Sequence, residues 1–237
     1  KIFERDFIAK HVKQGIITPY TPIELIGEIK YDGLSVEATC SDRIISARTR
    51  GDLDDNRATD LTDILYGYRF PNNLNPNDTI GIKFEAIITK DDLVRFSNDT
   101  GKEYRNLRTA ITGILGAANA RDYIDYITLV PLATSRPNDF VSREAEIHFL
   151  NKYFATKEPL RYTKFIGIPE KVMFEVNEFT KTAEKMRGLM NFAYDGVVIS
   201  YTDKAIKEFL GRENHINKYS IAIKFNPAVR LTRFRGY

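Results

Sequence analysis

A single cysteine, Cys40, occurs in the 237 residues, which excludes an internal disulfide and a cysteine-rich zinc site. The three histidines, His11, His148 and His215, are widely separated, so a histidine metal cluster is not expected. Any catalytic metal should be a hard ion held by carboxylates and phosphate. No apolar run approaches the roughly 20 residues of a membrane span, and no signal-peptide pattern opens the chain; a cytoplasmic setting is the expectation. Acidic residues are missing from Asn214 onward, where Lys218, Lys224, Arg230, Arg233 and Arg235 fall. That tail reads either as a solvated face or as a phosphate or nucleic-acid contact, and a net charge of +3 decides neither.

What is present is ordinary globular material. Hydrophobic residues make up 43% and charged residues 28% of a chain long enough for one large domain or one domain with a small appendage. The chain is organised around Glu28-Ile29-Lys30-Tyr31-Asp32-Gly33. On an extended backbone residues two apart share a face, so Glu28, Lys30 and Asp32 point the same way, and Gly33 lets the chain turn close to whatever that face binds. This is a reactive-amine arrangement, although Lys-x-Asp-Gly alone is also compatible with solvated surface charge.

Taken in order, Glu4 to Gln14 has helical spacing, and Ile23 opens a strand region in which Leu34, Val36 and Ala38 alternate with polar residues. Ser41-Asp42-Arg43 reads as a turn and Ile44 to Thr49 as the return strand. That hairpin delivers Arg48-Thr49-Arg50-Gly51-Asp52, where a guanidinium before a glycine suits a phosphate or ribose contact as well as a solvated turn. From Thr79 to Lys90 apolar residues alternate with Lys83 and Glu85, placing Glu85 opposite the core residues. Lys102 to Arg121 contains Arg105 and Arg108 before a predicted helix. Asp122 to Ala133 reads as a strand, Ser142 as the cap of a helix running to about Phe154, and Asn177 as the cap of another with Phe179, Ala183, Met186 and Met190 inside. Tyr194-Asp195-Gly196-Val197-Val198-Ile199-Ser200 is a carboxylate and glycine heading a β-branched strand. Asp203 starts a short helix that Gly211 ends. Ser220 to Phe225 is an apolar strand with Lys224 embedded in it, and a lysine buried there needs a partner or an anion.

These motifs together carry a resemblance. Glu28 to Gly33, Thr49-Arg50-Gly51-Asp52, Glu85, Asp195-Gly196-Val197-Val198-Ile199 and Ala222-Ile223-Lys224-Phe225 stand in the order and approximate spacing of the covalent nucleotidyltransferases. Among these the chain most resembles the adenylation domain of NAD-dependent DNA ligases. The similarity runs from about Ile23 to Pro227. The form of Thr49-Arg50-Gly51-Asp52 and of Lys218 to Phe225, with Ala222 where ATP-dependent ligases usually carry a second lysine, favours the NAD branch.

The resemblance implies an α+β, ATP-grasp-like ligase core of two antiparallel sheets flanked by helices, with AMP between them. It implies that Lys30 attacks the α-phosphate of NAD, that AMP then passes to a DNA 5′-phosphate, and that a 3′-hydroxyl displaces it. In that reading Lys30, Asp32, Asp195 and Lys224 are catalytic. Glu28, Arg50, Glu85, Gly33 and Val197 hold the nucleotide, with Glu28 by the adenine. Glu85 and Asp195 hold Mg2+, and Arg105, Arg230 and Arg233 meet DNA phosphate. The implied organisation is an N-terminal helix and connector at 1–22, an adenylation domain at 23–227, and a basic segment at 228–237 leading towards an absent oligonucleotide-binding domain. Recognition of nicotinamide mononucleotide and full engagement of nicked duplex DNA are then expected to need further domains or a second subunit, in a bacterium or a virus-infected cell.

Three departures from the family pattern stand out. Ser200 replaces the lysine that usually closes Asp-Gly-Val-Val-Ile-Lys, the Arg-Asn element is echoed only at Arg105-Asn106, and no aromatic stands near Val130 to stack on adenine. An ATP-dependent DNA or RNA ligase, a GTP-using capping enzyme, or a degenerate nick-binding subunit are the alternatives left open.

Overall fold

The computed structural model describes residues 3–50, 58–72, 74, 78–213 and 216–226. Two four-stranded antiparallel sheets, with helices packed around them, make this an α+β chain. The first sheet holds β1 (Ile23–Tyr31), β6 (Tyr162–Gly167), β7 (Tyr194–Tyr201) and β10 (Ser220–Lys224) in the order β10-β7-β1-β6. The second holds β2 (Leu34–Cys40), β3 (Ile44–Thr49), β4 (Ile80–Ile87) and β5 (Thr128–Thr134) in the order β3-β2-β4-β5. A small hairpin, β8 (Arg212–Glu213) with β9 (Ile216–Asn217), precedes β10.

The chain passes from one sheet to the other at Asp32-Gly33, between β1 and β2. Gly33 is required there by close approach: an added Cβ would lie 2.1 Å from the Ala86 carbonyl oxygen on β4. Strand β1 is central in its sheet, which is why it reads as nearly continuous apolar sequence apart from the residues facing the cleft. Leu25, Ile26, Val197, Ile199 and Tyr201 are fully or almost fully buried in or around it. The outer face of this sheet is covered by α1 (Phe3–Lys13) and α6 (Pro169–Met186). His11 on α1 is buried and hydrogen-bonds the Tyr201 hydroxyl at 3.1 Å, and burial followed by the nearby Lys10 charge lowers its pKa. The second sheet packs with α2 (Thr62–Leu65), α4 (Leu107–Leu115) and α5 (Arg143–Tyr153), while α3 (Lys90–Thr100) lies against α4 and the Ala120–Tyr126 segment. Cys40 is fully enclosed, and burial pushes its thiol up to about 12, so it is chemically quiet at neutral pH.

Most elements follow the sequence reading, and the exceptions have local causes. The strand expected to continue towards Lys90 stops at Ile87, because Thr89 caps α3 by accepting the Asp92 N–H at 3.0 Å. The first half of Asp122 to Ala133 belongs to a 3-10 helix, Ala120–Tyr126, and only Thr128–Thr134 is strand. Asn177 caps nothing: α6 already begins at Pro169, whose fixed φ suits a first helical turn, and Asn177 lies in the helix donating to the Met173 carbonyl at 2.9 Å. The buried stripe of α6 is Val172, Val176 and Ala183, with Phe179 partly buried, whereas Met186 is exposed. Ser142 and Asp203 cap α5 and α7 (Lys204–Leu210) as expected. Lys224 is not buried: β10 is an edge strand, and the lysine side chain is 68% exposed.

Gly196 is where β10 comes closest to β7; a Cβ there would sit 2.2 Å from the Ile223 carbonyl oxygen. Gly196→Ala is therefore expected to force the edge strand away and to lower the unfolding free energy by about 1–3 kcal/mol, read from a denaturant titration. Unchanged stability would show that β10 yields without cost.

Candidate active site

Between the sheets lies an open cleft of about 1550 Å3, lined from one side by Glu28, Lys30, Asp195, Val198 and Lys224 and from the other by Arg48, Arg50, Lys83 and Glu85. Its centre is a lysine–carboxylate–lysine row. Lys30 Nζ donates to Asp195 Oδ1 at 2.7 Å, and Lys224 Nζ lies 3.4 Å from Asp195 Oδ2.

An irregularity in the backbone creates this row. Along β1 and β7 the register pairs Lys30 with Gly196 but Tyr31 with Tyr194, so Asp195 is an extra, bulged residue. In an unbroken strand, alternation would turn Asp195 away from the face that Gly196, Val198 and Ser200 present, and would aim Tyr194 into the cleft. The bulge re-aims the carboxylate at Lys30 and sends Tyr194 to the opposite side, where its hydroxyl donates to the Ala183 carbonyl on α6 at 2.6 Å. The Phe225 N–H closes the bulge onto the Asp195 carbonyl at 2.9 Å. Burial alone would raise the Asp195 pKa. The Lys30 hydrogen bond and charge, with Lys224 behind them, outweigh that and hold it below the ordinary carboxylate range.

Asp32, past the end of β1, is held by an ion pair with Arg108 on α4, and its N–H donates to the Ala193 carbonyl at 3.0 Å. The hydrogen bond and charge of Asp32 raise the Arg108 pKa further. The Gly33 N–H donates to Glu85 Oε1 at 3.0 Å. Glu85 nevertheless has a raised pKa: burial is the largest influence, and the Gly33 N–H, Lys30, Lys83 and Arg108 offset only part of it. Beside it the Ser35 hydroxyl, paired across the strands with Glu85, is enclosed without any hydrogen-bond partner among the described residues. An orphaned hydroxyl and a strained carboxylate on one wall mark a place that a polar ligand would complete.

At the other end of the cleft, both oxygens of Glu28 are gripped by Arg143, the first residue of α5: Nε to Oε2 at 3.0 Å and Nη2 to Oε1 at 2.7 Å. The same guanidinium reaches the Leu132 carbonyl at 2.7 Å and Glu146 Oε2 at 2.7 Å. Burial opposes the charge on Arg143, but Glu28 and Glu146 more than reverse this and raise its pKa.

Of the residues singled out from sequence, Glu28, Lys30, Gly33, Arg50, Glu85, Asp195 and Lys224 line the cleft, and Asp32 stands at its edge through Arg108. Val197 does not line it: the two-residue period puts Val197 in the core with no exposed surface and turns Val198 into the cleft instead. Arg105 is exposed and is not among the lining residues, whereas Arg108, three residues on, is. Asp52, Arg230 and Arg233 lie outside the described residues. Arg108 and Arg143 were missed as site residues, yet each carries a signal. Both follow a cap, Asn106 and Ser142, and so sit in the first turn of a helix, where the dipole disfavours a cation. A cation in that place needs a carboxylate partner, which the fold supplies.

No group of three or more His, Cys, Asp or Glu side chains arranged to hold a metal occurs among the described residues. Glu85 and Asp195 fit a hard ion only as partial ligands, with phosphate oxygens and water completing the shell. Asp195 has both its oxygens engaged by lysines, and Glu85 has one on Gly33.

Comparison with known proteins gives one family: the model described as the NAD-dependent DNA ligase adenylation domain matches residues 2–228. Relatives include the DNA ligase of Caldicellulosiruptor saccharolyticus, 27% identical over 225 residues, which cover 87% of this chain and 31% of that protein. The DNA ligase of Mycoplasmopsis agalactiae is 24% identical over 222 residues, covering 92% of this chain and 32% of that protein. A Bacillus cereus DNA ligase is 27% identical over 241 residues, covering 98% of this chain and 34% of that protein. The chain thus spans about a third of the length of these curated relatives.

The raised pKa of Glu85 fixes a sign. A carboxylate that holds its proton more tightly when folded favours folding when protonated, and that contribution is lost as pH rises through the folded value. Glu85→Gln keeps an acceptor for the Gly33 N–H and removes the charge, so its melting temperature should exceed that of the wild type at pH 7. The gap should close as pH falls below the ordinary carboxylate range. A melting series from pH 4 to 8 reads this out, and a gap independent of pH would contradict the assignment.

Proposed function

The chain belongs to the NAD-dependent DNA ligase adenylation-domain family, and from that premise we propose that it forms a covalent lysyl-AMP on Lys30 and passes the AMP to a DNA 5′-phosphate for nick sealing. The observation that carries this reading is the Lys30–Asp195–Lys224 row on the wall of the open cleft between the sheets.

In the first step the unprotonated Lys30 Nζ attacks the α-phosphorus of NAD. An N–P bond forms, the bond from that phosphorus to the bridging oxygen breaks, and nicotinamide mononucleotide leaves with the electron pair. Asp195 aims the amine through its 2.7 Å hydrogen bond, which is the orientation an in-line attack requires. Lys224 lies on the far side of the same carboxylate and is largely exposed to the cleft mouth. It can therefore turn to the phosphate and neutralise developing charge, as can Arg50 on the opposite wall. The 5′-phosphate oxygen then attacks the phosphorus of the phosphoramidate, the N–P bond breaks and Lys30 returns to an amine; a 3′-hydroxyl next attacks the activated 5′-phosphate and expels AMP, closing the nick.

Glu85 is the carboxylate placed to hold Mg2+ with the phosphate oxygens, and a bound Mg2+ would supply charge neutralisation at the phosphate. Arg108 fixes Asp32 and so holds the turn that follows Lys30. Arg105 and the basic residues Arg230 and Arg233 are assigned to DNA phosphates. Since the relatives are about three times as long, the proposed partners include nicked duplex DNA and further protein mass that contacts nicotinamide mononucleotide and encloses the duplex.

Incubation with α-labelled NAD, ATP and GTP in turn, followed by a denaturing gel, tests the reading. Label from NAD, lost in Lys30→Ala with the melting curve unchanged, is the expected result. Label from ATP alone would favour an ATP-dependent ligase, and label surviving Lys30→Ala would end the lysyl-adenylate assignment. Asp195→Asn should cut the labelling rate by about 100-fold or more, the scale of losing a group that orients the nucleophile.

A further inference from the structure

Lysine is among the residue types most rarely enclosed by protein, and one that is enclosed needs acceptors for its ammonium group. Lys30 and Lys224 in the central row are both partly exposed. Lys207 on α7 is only 4% exposed, yet it lines the same cleft. The fold sets it beside position 200. Its ammonium lies 5.5 Å from the centre of the Tyr219 ring, the Tyr219 carbonyl accepts the Tyr201 N–H at 3.0 Å, and Ser220 pairs with Ser200 across β10 and β7. Ser200, Lys207, Tyr219 and Ser220 therefore make one patch of the cleft wall.

Ser200 is the position where the family pattern usually carries a lysine, and the alternation of β7 turns it into the cleft with Val198. One patch has thus lost a strand lysine and holds a helix lysine. Its place along the cleft limits what such a cation meets. The register pairs Lys30 with Gly196, Glu28 with Val198 and Ile26 with Ser200, so at about 3.3 Å per residue position 200 stands roughly 13 Å along the strand from Lys30. A nucleotide with its α-phosphorus at Lys30 brings its base, and not that phosphate, towards this end. An ammonium group has three N–H donors and no acceptor, so on a base it serves a ring nitrogen or a carbonyl oxygen. On its pairing edge adenine presents one such atom, N1.

We infer that Lys207 is a specificity-determining residue that donates to N1 of the adenine ring, and that α7 supplies through it the cation that β7 lacks at position 200. The inference rests on the adenylation reading in placing adenine in this cleft.

Titration calorimetry with AMP and with 1-deazaadenosine 5′-monophosphate, which has a C–H in place of N1, tests this without requiring catalysis. Wild-type protein should bind AMP about tenfold or more tightly, the scale of a hydrogen bond from a charged donor. In Lys207→Met, which keeps the apolar stem of the side chain and removes the ammonium, the ratio should fall to near one. Adding Ser200→Lys to that variant should restore the ratio. Lys207→Leu serves in both tests if the Met variants do not fold. A merely structural role for Lys207 would weaken both nucleotides alike, leave the ratio at its wild-type value and gain nothing from a lysine on β7. Equal affinities in the wild type, no binding of either nucleotide, a wild-type ratio in the folded Lys207 variants, or a ratio near one in the double variant would overturn the inference. Loss of covalent labelling at Lys30 with the ratio and its rescue intact would instead strike the adenylation reading and leave the role of Lys207 standing.

Discussion

One carboxylate between two ammonium groups is the contact on which the rest of the site depends. Asp195 reaches Lys30 only because β7 carries an extra residue opposite the end of β1. The same irregularity turns Tyr194 outward to α6 and lets Phe225 dock on the bulge. Burial works against the charge on Asp195, and the two lysines reverse that effect, so the amine and the acid hold each other in place. Removing Asp195 would leave two ammonium groups without their shared acid in a half-enclosed site, which is costly, whereas removing Lys30 leaves Asp195 still paired with Lys224.

The walls of the cleft divide the work. The first sheet contributes the amine and the glutamate at the far end on alternate positions of β1, and the acid on the bulge of β7, in central strands that cannot shift without disturbing a packed core. The second contributes the cations of β3 and β4 and a carboxylate whose burial keeps its pKa high. Helix first turns supply the remaining pieces, Arg108 and Arg143, each tied to an acid on or just beyond β1. Rigid elements thus hold Asp195, Asp32 and Glu85 around Lys30 by hydrogen bonds or ion pairs.

Much of this was legible in the sequence, where alternation and caps are strong signals. The β1–β2 and β2–β3 connections, the position of Glu85 opposite the core, the Ser142 and Asp203 caps and the strand after Asp195 follow from local pattern. What was not legible depends on tertiary pairing. A bulge changes the face of a residue without changing composition, so the mid-strand Val197 could not be told from Val198. Lys224 read as buried because its neighbours are apolar, but edge or centre is a property of the sheet and not of the strand. Met186 continued a helical stripe that the helix, starting nine residues earlier than expected, carries round to solvent. Arg108 and Arg143 become meaningful only when Asp32 and Glu28, 76 and 115 residues away, come to meet them.

The Arg143 clamp also has a mechanical side. The guanidinium holds Leu132 on β5 and Glu28 on β1 at once, so it straps one sheet to the other. The chain itself joins the two sheets at Asp32-Gly33, five residues further on. Both ties fall on β1 or at its end, so the strand that carries the amine is also the seam along which the two walls of the cleft are joined.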